Sequence, residues 1–298
     1  MIGMEITVKD LIKVYRTGKI EVQALRGLNM NVEQGEIISI IGPSGSGKTT
    51  LLNIIGGLDT ATAGLVKVGN IEVTTISPPQ LVGFRRNTVG HIFQNLNLIP
   101  TLTASENIEL PMLAQGWSRG KRAERIRMLL DVVGLAHRAD HKPDELSGGE
   151  QQRVAIAVAL ANDPPVILAD EPTGELDTEN ARVVTEFLVK VNKELGKTIV
   201  MVTHDPNVAR AARRVLRIED GVIKAFLEPT QITVEGVSVS YAEQLRARVV
   251  EIDRELAGLD EAFRSGRIGG DEYAERRMRL RQTRLGLQDE LHRLGIVI

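Results

Sequence analysis

Leu146-Ser147-Gly148-Gly149-Glu150-Gln151-Gln152-Arg153 is the stretch of this chain from which its fold and chemistry are best argued. Some way downstream, the apolar run Val166-Ile167-Leu168-Ala169 ends in Asp170-Glu171. Far upstream lies the glycine-rich segment Gly42-Pro43-Ser44-Gly45-Ser46-Gly47-Lys48-Thr49, which has the pattern of a phosphate-binding loop. That loop alone indicates only that the protein binds a nucleotide. The three motifs in this order are far more specific than the loop by itself.

The glycine-rich segment predicts a phosphate site between a buried strand, residues 36–41, and a helix, residues 49–55. Its glycines let backbone N–H groups turn toward phosphates, and the helix beginning near Lys48 adds the positive end of its dipole. We expect Lys48 to reach the β- and γ-phosphates and Thr49 to offer its hydroxyl to Mg²⁺. The alternative is a structural turn that binds nothing, but such a turn has no need of a lysine charge. The residues predicted to bind the nucleotide here are Gly42, Pro43, Ser44, Gly45, Ser46, Gly47, Lys48, Thr49 and Thr50.

Asp170 and Glu171 follow a short apolar run, residues 166–169, which predicts a buried strand. Ligands of α/β sheets bind at the carboxyl ends of the strands, so Asp170 is the natural partner of Mg²⁺, directly or through water. Glu171 is the candidate general base that activates the attacking water. The alternative interpretation is an acidic pair that caps a helix.

The opening stretch predicts a second anion site, because it leads into a helix over residues 151–160. Ser147, Glu150 and the backbone N–H groups of Gly148 and Gly149 would lie at the positive end of that helix. One nucleotide cannot easily occupy this site and the phosphate loop within one subunit. The alternative to an anion site is that these residues form an ordinary helix N-cap.

Composition narrows the class of protein. The 298 residues carry 37 basic and 39 acidic side chains, so the net charge of −2 gives no general attraction to nucleic acid or anionic membrane. Cysteine is absent, which excludes disulfides and thiolate metal sites and fits a reducing cytosol. No apolar run is long enough to span a bilayer, and the N-terminus, with Glu5, alternates like a strand rather than a signal peptide. A membrane role would therefore come through a partner.

Strand and helix patterns alternate along most of the chain, which predicts a mainly parallel α/β sheet. Residues 5–14 and 199–202 read as further strands, and residues 95–165 have helical periodicity. Asp220-Gly221, between apolar residues of the segment 215–226, predicts a β-hairpin. We place the end of this first domain at residue 228.

Residues 229–298 have a different pattern and are predicted to form a linker and an antiparallel helical hairpin. Ser240 and Glu243 form a capping box, and Asp271 can begin the second helix. The apolar positions at helical spacing are Leu245, Val249, Ile252, Leu256, Leu259 and Phe263, then Tyr273, Leu280, Leu287 and Leu294. An arginine-rich face is either solvated or contacts a partner or lipid, and comprises Arg276, Arg277, Arg279, Arg281 and Arg284.

The ordered set of three motifs resembles the ATP-binding cassette (ABC) ATPases, over residues 1 to about 228. The resemblance implies a phosphate-loop NTPase fold with an antiparallel β subdomain and a helical subdomain, to which the helical hairpin is appended. It implies ATP and Mg²⁺ as ligands and ATP hydrolysis as the reaction. It also implies a head-to-tail homodimer, in which the Ser147-Gly148-Gly149 segment of one subunit closes on the ATP held by the other.

Four single residues fit the same family by position. Tyr15 resembles the aromatic residue that stacks on adenine, although a lone strand tyrosine is often simple packing. Gln94 resembles the glutamine that senses Mg²⁺ and links to the membrane partner. His204 resembles the switch histidine that contacts the γ-phosphate, and Asp177 belongs to a segment that resembles the loop crossing the dimer interface.

Finer motifs, Ile55–Asp59 and Asn95–Ala104, resemble the LolD/MacB/FtsE branch, whose ATPases pair with separate FtsX-like permeases. That resemblance implies a protein held peripherally at the cytoplasmic face of the cell membrane, driving export, lipoprotein or peptide handling, or mechanotransmission. Glu175 stands where this branch usually has asparagine, Val158 where arginine is common, and His91 where phenylalanine is usual. None of these departures removes a catalytic group.

The competing class is a soluble ABC ATPase that regulates cell-wall hydrolases, translation or DNA repair. Translation-type members usually carry two cassettes per chain, and repair-type members split the cassette with very long coiled coils, so both fit less well. No nucleic-acid partner is expected. His137 and His141 have the spacing of metal ligands on a helix, but no third ligand is evident.

Overall fold

The computed structural model describes residues 3–18 and 20–229, and beyond them 249, 252–260, 262–264, 269–270, 273, 276–278, 280–281, 284–285 and 287–288. The chain divides into two compact units, Met1–Ile232 and Thr233–Ile298.

Ten strands and seven α-helices are described in the first unit. In chain order they are β1 (Ile6–Thr17), β2 (Ile20–Val32), β3 (Ile37–Ile41), α1 (Lys48–Ile55), β4 (Ala63–Val68), β5 (Ile71–Glu72), α2 (Pro78–Asn87), β6 (Val89–Ile92), α3 (Ala104–Ala114), α4 (Arg119–Val132), α5 (Gly148–Leu160), β7 (Val166–Asp170), α6 (Thr178–Leu195), β8 (Thr198–Val202), α7 (Pro206–Arg210), β9 (Arg214–Glu219) and β10 (Val222–Leu227). Two short 3₁₀ segments, Ala136–Arg138 and Pro143–Glu145, lie between α4 and α5.

The larger sheet has six strands in the order β10-β9-β3-β8-β7-β6. All its neighbouring pairs are parallel except β9 with β10. The strands β3, β7 and β8 are buried along almost their whole length, which explains their continuous apolar sequence. Because β3, β7 and β8 are adjacent and parallel, the loops that follow their carboxyl ends open at the same edge.

The smaller sheet is antiparallel, in the order β2-β1-β4-β5. Its long strands β1 and β2 slip register between Val8 and Leu11, where Asp10 takes a positive φ of 47° and its N–H donates to Asn29 Oδ1 at 3.0 Å. Apolar residues of this sheet pack with α1 and with one face of the larger sheet in a single core. The helix that follows the phosphate loop is therefore enclosed between two sheets.

The helical layer consists of α3, α4 and α5, inserted between β6 and β7. These helices pack with α6 and the other face of the larger sheet in a second core. The predicted helical region is present, but it begins at Ala104 rather than near residue 95, because Asn97 takes a positive φ of 52° that interrupts a helix.

The predicted hairpin is formed by β9 and β10, and its turn residues Asp220 and Gly221 both have positive φ, 49° and 75°. This turn touches the phosphate loop: Gly221 N donates to Ser46 O at 3.1 Å, and Arg26 N of β2 donates to Gly221 O at 3.0 Å. A Cβ at Gly221 would lie 2.5 Å from Ala24 O, so the position has no room for a side chain. The hairpin turn thus holds the phosphate loop beside β2.

Within the second unit, pairs of side chains join earlier helical residues to later ones. Tyr273 Oη donates to Asp260 Oδ1 at 2.7 Å, and the Tyr273 ring stacks on Phe263 with centroids 4.3 Å apart. Arg284 Nε donates to Asp253 Oδ1 at 2.7 Å. The later residue Arg284 contacts the earlier residue Asp253, whereas Tyr273 contacts Asp260. This reversed order of contacts is the pattern of two antiparallel helices.

The apolar positions predicted for the hairpin that can be described include Val249, Ile252 and Leu259, all buried. Two residues of the arginine face are engaged inside this unit, Arg277 with Asp260 and Arg284 with Asp253. Six other residues named in the prediction for this segment lie outside the described residues: Ser240, Glu243, Leu245, Asp271, Arg279 and Leu294.

Candidate functional site

The phosphate loop is shaped by close backbone packing. Gly47, at the N-cap of α1, has φ 100°, and a Cβ there would lie 2.6 Å from Ala24 O. A Cβ at Gly42 would lie 2.1 Å from Ile218 O of β9. Both positions therefore require glycine, and the loop they form presents backbone N–H groups at the N-terminus of α1.

Lys48 reaches back over this loop, where Nζ donates to Gly42 O at 2.8 Å and to Pro43 O at 2.9 Å. Burial lowers the pKa of Lys48, while the carboxylates of Glu171 and Asp170 act in the opposite direction. An ammonium group that is partly buried and near two carboxylates is suited to bind a phosphate anion.

A cleft of about 400 Å³ opens at the carboxyl edge of the larger sheet. It brings together predicted site residues from four separate parts of the sequence. Its lining residues are Ala24, Gly42, Ser44, Gly45, Gly47, Lys48, Thr49, Thr50, Gln94, Glu171 and His204.

Thr49 and Asp170, the residues predicted to bind Mg²⁺, lie side by side, and Thr49 Oγ1 donates to Asp170 Oδ1 at 3.2 Å. Burial raises the pKa of Asp170, although the Thr49 hydroxyl opposes the shift, and the charge of Glu171 adds to it. Because burial makes ionisation of the Asp170 carboxyl unfavourable, a bound cation would stabilise its charged form. With the Gln94 amide in the same cleft, these oxygen donors fit Mg²⁺, which prefers hard oxygen ligands.

Glu171 and His204 form a pair across neighbouring strands. Glu171 follows β7 and His204 follows β8, and Glu171 Oε2 accepts from His204 N at 3.3 Å and lies 2.8 Å from His204 Nδ1. The hydrogen bond to Glu171 raises the pKa of His204. Glu171 also takes a positive φ of 49°, which is unfavourable for a glutamate and is held by the bond from Glu171 N to Val202 O at 2.9 Å.

Gln94 follows β6, and it lies near the loop after Glu171. A Cβ at Gly174 would lie 3.8 Å from Gln94 Nε2. The predicted crossing loop, which includes Glu175 and Asp177, therefore begins beside Gln94. Asp177 itself caps α6, where its Oδ1 accepts from Asn180 N at 2.9 Å.

Tyr15 lies at the end of β1 and is 40% exposed. Its Oη donates to Asp59 Oδ2 at 2.7 Å and lies 3.5 Å from Oγ1 of Thr50, a cleft residue. Asp59 belongs to the motif Ile55-Gly56-Gly57-Leu58-Asp59 but had no predicted role, and Lys13, whose Nζ lies 2.6 Å from Asp59 Oδ1, was not predicted as a site residue. These partners lie on separate elements, so no local pattern points to them.

The Ser147-Gly148-Gly149 segment forms the N-terminus of α5. A capping box joins Ser147 and Glu150: Glu150 N donates to Ser147 Oγ at 3.3 Å, and Ser147 N to Glu150 Oε2 at 2.8 Å. Gly149 packs so closely on α6 that a Cβ there would lie 2.2 Å from Asn180 Oδ1. Within the part of the chain that the structure describes, Ser147, Gly148, Gly149 and Glu150 do not line the phosphate cleft.

His137 and His141 do not form the helical pair that their spacing suggested. His137 lies in a 3₁₀ segment, and His141 follows it, with Nε2 3.2 Å from Arg138 Nη1. Among the described residues, no group of three or more histidine, cysteine, aspartate or glutamate side chains is arranged to hold a metal ion. The described helices also include none with the length and apolar character that a membrane span requires.

Comparison with known proteins gives a consistent result. Residues 25–174 match the ABC transporter family. The chain is 48% identical over 223 residues to an uncharacterised ABC transporter ATP-binding protein, MJ0796, of Methanocaldococcus jannaschii, covering 74% of this chain and 95% of that protein. It is 46% identical over 218 residues to the lipoprotein-releasing system ATP-binding protein LolD of Geobacter metallireducens, covering 73% of this chain and 97% of that protein.

A longer relative matches beyond the first unit. The macrolide export ATP-binding/permease protein MacB of Syntrophobacter fumaroxidans is 40% identical over 285 residues, covering 95% of this chain but 39% of that protein. Among solved structures, the dimeric post-hydrolysis state of the MJ0796 cassette, bound to ADP and Pi, superposes with a TM-score of 0.70 at 45% identity. That match covers 75% of this chain and 98% of the other.

Proposed function

The chain belongs to the ABC transporter family as an ATP-binding and ATP-hydrolysing cassette, and we propose that it drives a separate FtsX-like permease from the cytoplasmic face of a membrane. The family and fold inferred from the three motifs are confirmed by its relatives. The observation that supports the residue roles best is the convergence of Lys48, Thr49, Gln94, Glu171 and His204 on one cleft.

ATP binding is assigned to the phosphate loop and Lys48. The loop N–H groups and the α1 dipole attract the phosphates, and Lys48 exchanges its loop carbonyl partners for the β- and γ-phosphates. Mg²⁺ supplies charge neutralisation at the phosphate oxygens. Thr49, Asp170 and Gln94 would hold it in the cleft.

Hydrolysis is assigned to Glu171 as general base, which takes a proton from the attacking water. His204, whose Nδ1 lies 2.8 Å from the Glu171 carboxylate, would orient that carboxylate, and we assign it the contact with the γ-phosphate. The hydrogen bond that raises the pKa of His204 favours its protonated form, which suits a contact with a phosphate oxygen.

A head-to-tail dimer explains the second anion site. The Ser147-Gly148-Gly149 segment begins α5 outside the cleft of its own chain, so its free N–H groups suit the ATP of a second copy. The MJ0796 cassette, at 45% identity, is dimeric with ADP and Pi. We propose that Asp177 and the loop before it meet the partner subunit across the same interface.

The proposed branch of the family and the proposed location at a membrane are supported by the named relatives. LolD is named as the ATP-binding protein of a lipoprotein-releasing system, and MacB as an export ATP-binding/permease protein. By analogy we propose a cassette attached peripherally to a membrane through its permease, with residues 1–228 as the ATPase domain and 229–298 as an appended segment.

The decisive test is Glu171→Gln. Loss of the general base lowers the rate of ATP hydrolysis by about 10²–10⁴-fold while ATP still binds, so an ATP-bound dimer accumulates. Steady-state ATPase assays and light scattering with ATP measure the two effects. Glu186→Gln, on the exposed face of α6, is the matched control and behaves like wild type. Near-normal turnover in Glu171→Gln would show that Glu171 is not the base.

A further inference from the structure

We propose that Lys13 and Asp59 are positioning residues that fix the Tyr15 ring as a platform for the base of the nucleotide. The proposal rests on the proposed ATP site and adds to it the side chains that orient its aromatic contact. It assigns to the Lys13–Asp59 ion pair the task of holding Tyr15 in one orientation before ATP arrives.

Each of the three side chains contacts the other two, and Lys13 Nζ also donates to Thr60 O at 2.7 Å. Lys13 Nζ lies 2.6 Å from Asp59 Oδ1, and Tyr15 Oη donates to Asp59 Oδ2 at 2.7 Å. Lys13 Nζ also lies 4.7 Å from the centroid of the Tyr15 ring. The two oxygens of one carboxylate therefore bind both partners, and the ammonium group contacts the ring as a cation on its face.

The arrangement leaves one face of the ring for a ligand. Lys13 is 7% exposed and occupies its side of the ring, whereas Tyr15 as a whole is 40% exposed. An exposed aromatic ring that is tethered at its hydroxyl and backed by a cation cannot be explained as core packing. A flat, electron-rich surface of this kind suits stacking on a nucleobase.

The hydrogen-bond roles in this set are fixed. Burial and the hydrogen bond to Asp59 raise the pKa of Tyr15, so its phenol remains a donor. Burial raises the pKa of Asp59, but the hydrogen bonds from Lys13, Tyr15 and Thr60 N, with the charge of Lys13, together lower it, so Asp59 remains an acceptor. A phenol that donates to a fixed carboxylate holds the ring in one orientation.

The platform is connected to the phosphate loop through α1. Tyr15 Oη lies 3.5 Å from Thr50 Oγ1 in the first turn of α1, and Asp59 lies in the turn that follows the helix. The N–H groups of Leu58 and Asp59 donate to Asn53 O at 2.8 and 3.2 Å, which ties that turn to the helix. The proposed contact for the base and the loop proposed to bind the phosphates are therefore linked through α1 and the turn that follows it.

The test compares a ligand that has a base with one that has none. Binding of ADP and of inorganic tripolyphosphate, both with Mg²⁺, is measured by calorimetry for wild type, Tyr15→Ala, Asp59→Asn and the double variant. We expect Asp59→Asn to weaken ADP binding by about 2- to 10-fold, the effect of freeing one immobilised side chain, and to leave tripolyphosphate binding unchanged. In the Tyr15→Ala background, Asp59→Asn has no further effect on ADP.

The control is Asp10→Asn, which changes a carboxylate of the same sheet that accepts from Asn29 instead. It binds both ligands like wild type. Lys13→Arg keeps a cation for Asp59 and the ring and retains most of the ADP affinity, whereas Lys13→Met resembles Asp59→Asn.

Three results would overturn the proposal. They are an ADP affinity unchanged in Asp59→Asn, an equal loss of tripolyphosphate binding, and additive effects in the double variant. A wild-type protein that bound neither ligand would instead refute the ATP site itself, so the two failures are distinguishable.

Discussion

At the scale of single residues, Lys48 contacts the phosphate loop and supplies a positive charge for the phosphates. A single substitution of Lys48 tests its contribution apart from the rest of the loop. Its Nζ bonds to Gly42 O and Pro43 O, and it carries the charge intended for phosphate. Lys48→Ala therefore weakens ATP binding by at least about 10-fold, because a charge-assisted contact contributes roughly 1.5–3 kcal/mol. Titration calorimetry with ATP and Mg²⁺ measures the loss.

Lys67→Ala, on an exposed position of β4, is the control for removing a lysine from this unit. It leaves ATP affinity at the wild-type value. Equal affinities for Lys48→Ala and wild type would remove Lys48 from the binding site.

The sequence predicts chemistry best where a motif is local. Lys48 and Thr49 follow the glycines of one loop, and Asp170 and Glu171 follow one apolar run, so their place at a strand end can be inferred. The partnership of Lys13 with Asp59 cannot, because it depends on how β1 packs against the turn after α1. The left-handed backbone of Glu171 is also set by tertiary contacts rather than by its own preference.

At the scale of elements, three buried parallel strands and one tight turn were predicted from the sequence, whereas the irregular antiparallel strand β2 was not. β3, β7 and β8 have continuous apolar sequences, and the Asp220-Gly221 turn has the residues that positive φ requires. The strand β2 was not predicted, because register shifts opposite β1 break the alternation of apolar and polar residues. The helix α2 was also missed, since only Phe84 of its residues is buried.

The hairpin turn gives a prediction at this scale. Gly221→Ala adds a methyl group 2.5 Å from Ala24 O, so the turn must move away from β2 and from Ser46 of the phosphate loop. We expect lower thermal stability and weaker ATP binding, measured by thermal unfolding and by calorimetry.

Gly116→Ala is the matched control, because Gly116 has nearly the same φ, 73°, but no atom within 4 Å of the added Cβ. The Gly116→Ala variant loses only about 1–2 kcal/mol of stability, the cost of an alanine with left-handed backbone angles. Its ATP affinity is the same as that of wild type. If both variants lost ATP affinity equally, the contact of the hairpin turn with the phosphate loop would have no role in binding.

At the scale of the whole molecule, an ion pair between the buried Glu36, just before β3, and Arg214, at the start of β9, gives the fold a dependence on pH. Glu36, 3% exposed, accepts from Arg214 Nε at 2.5 Å and from Nη2 at 2.8 Å. Burial raises the pKa of Glu36, but the hydrogen bonds from Arg214 and from Glu33 N lower it overall, below its usual 4.5. The stabilisation is therefore complete above about pH 4.5 and is lost as pH falls through the lowered pKa.

Glu36→Gln isolates this contribution. At pH 7 the variant is less stable by about 1–3 kcal/mol, since Arg214 loses its charged partner. The difference in stability from wild type shrinks as the solution is acidified below pH 4.5. Denaturant unfolding at several pH values measures it, and a difference that stayed constant down to pH 3 would contradict the assignment.

The division of the chain gives a second prediction at this scale. The cleft residues given above all lie before residue 205, so a chain ending at Pro229 folds and binds ATP like the full-length protein. We expect the truncation to alter association in the absence of nucleotide, because a helical hairpin buries little apolar surface by itself and gains from packing on a second copy. Light scattering of both forms without nucleotide tests this, and full-length protein found as monomers would leave a partner or lipid as the better ligand of the hairpin.

The position of β10 has one more consequence. It is the outermost strand of the larger sheet and pairs with β9 on one side only, among the strands described. The chain therefore leaves the larger sheet at its rim, at the end of β10. A gene fusion at this rim does not interrupt the strands and loops of the ATPase domain. The end of β10 is therefore a point at which evolution can exchange the attached segment while the ATPase domain stays the same.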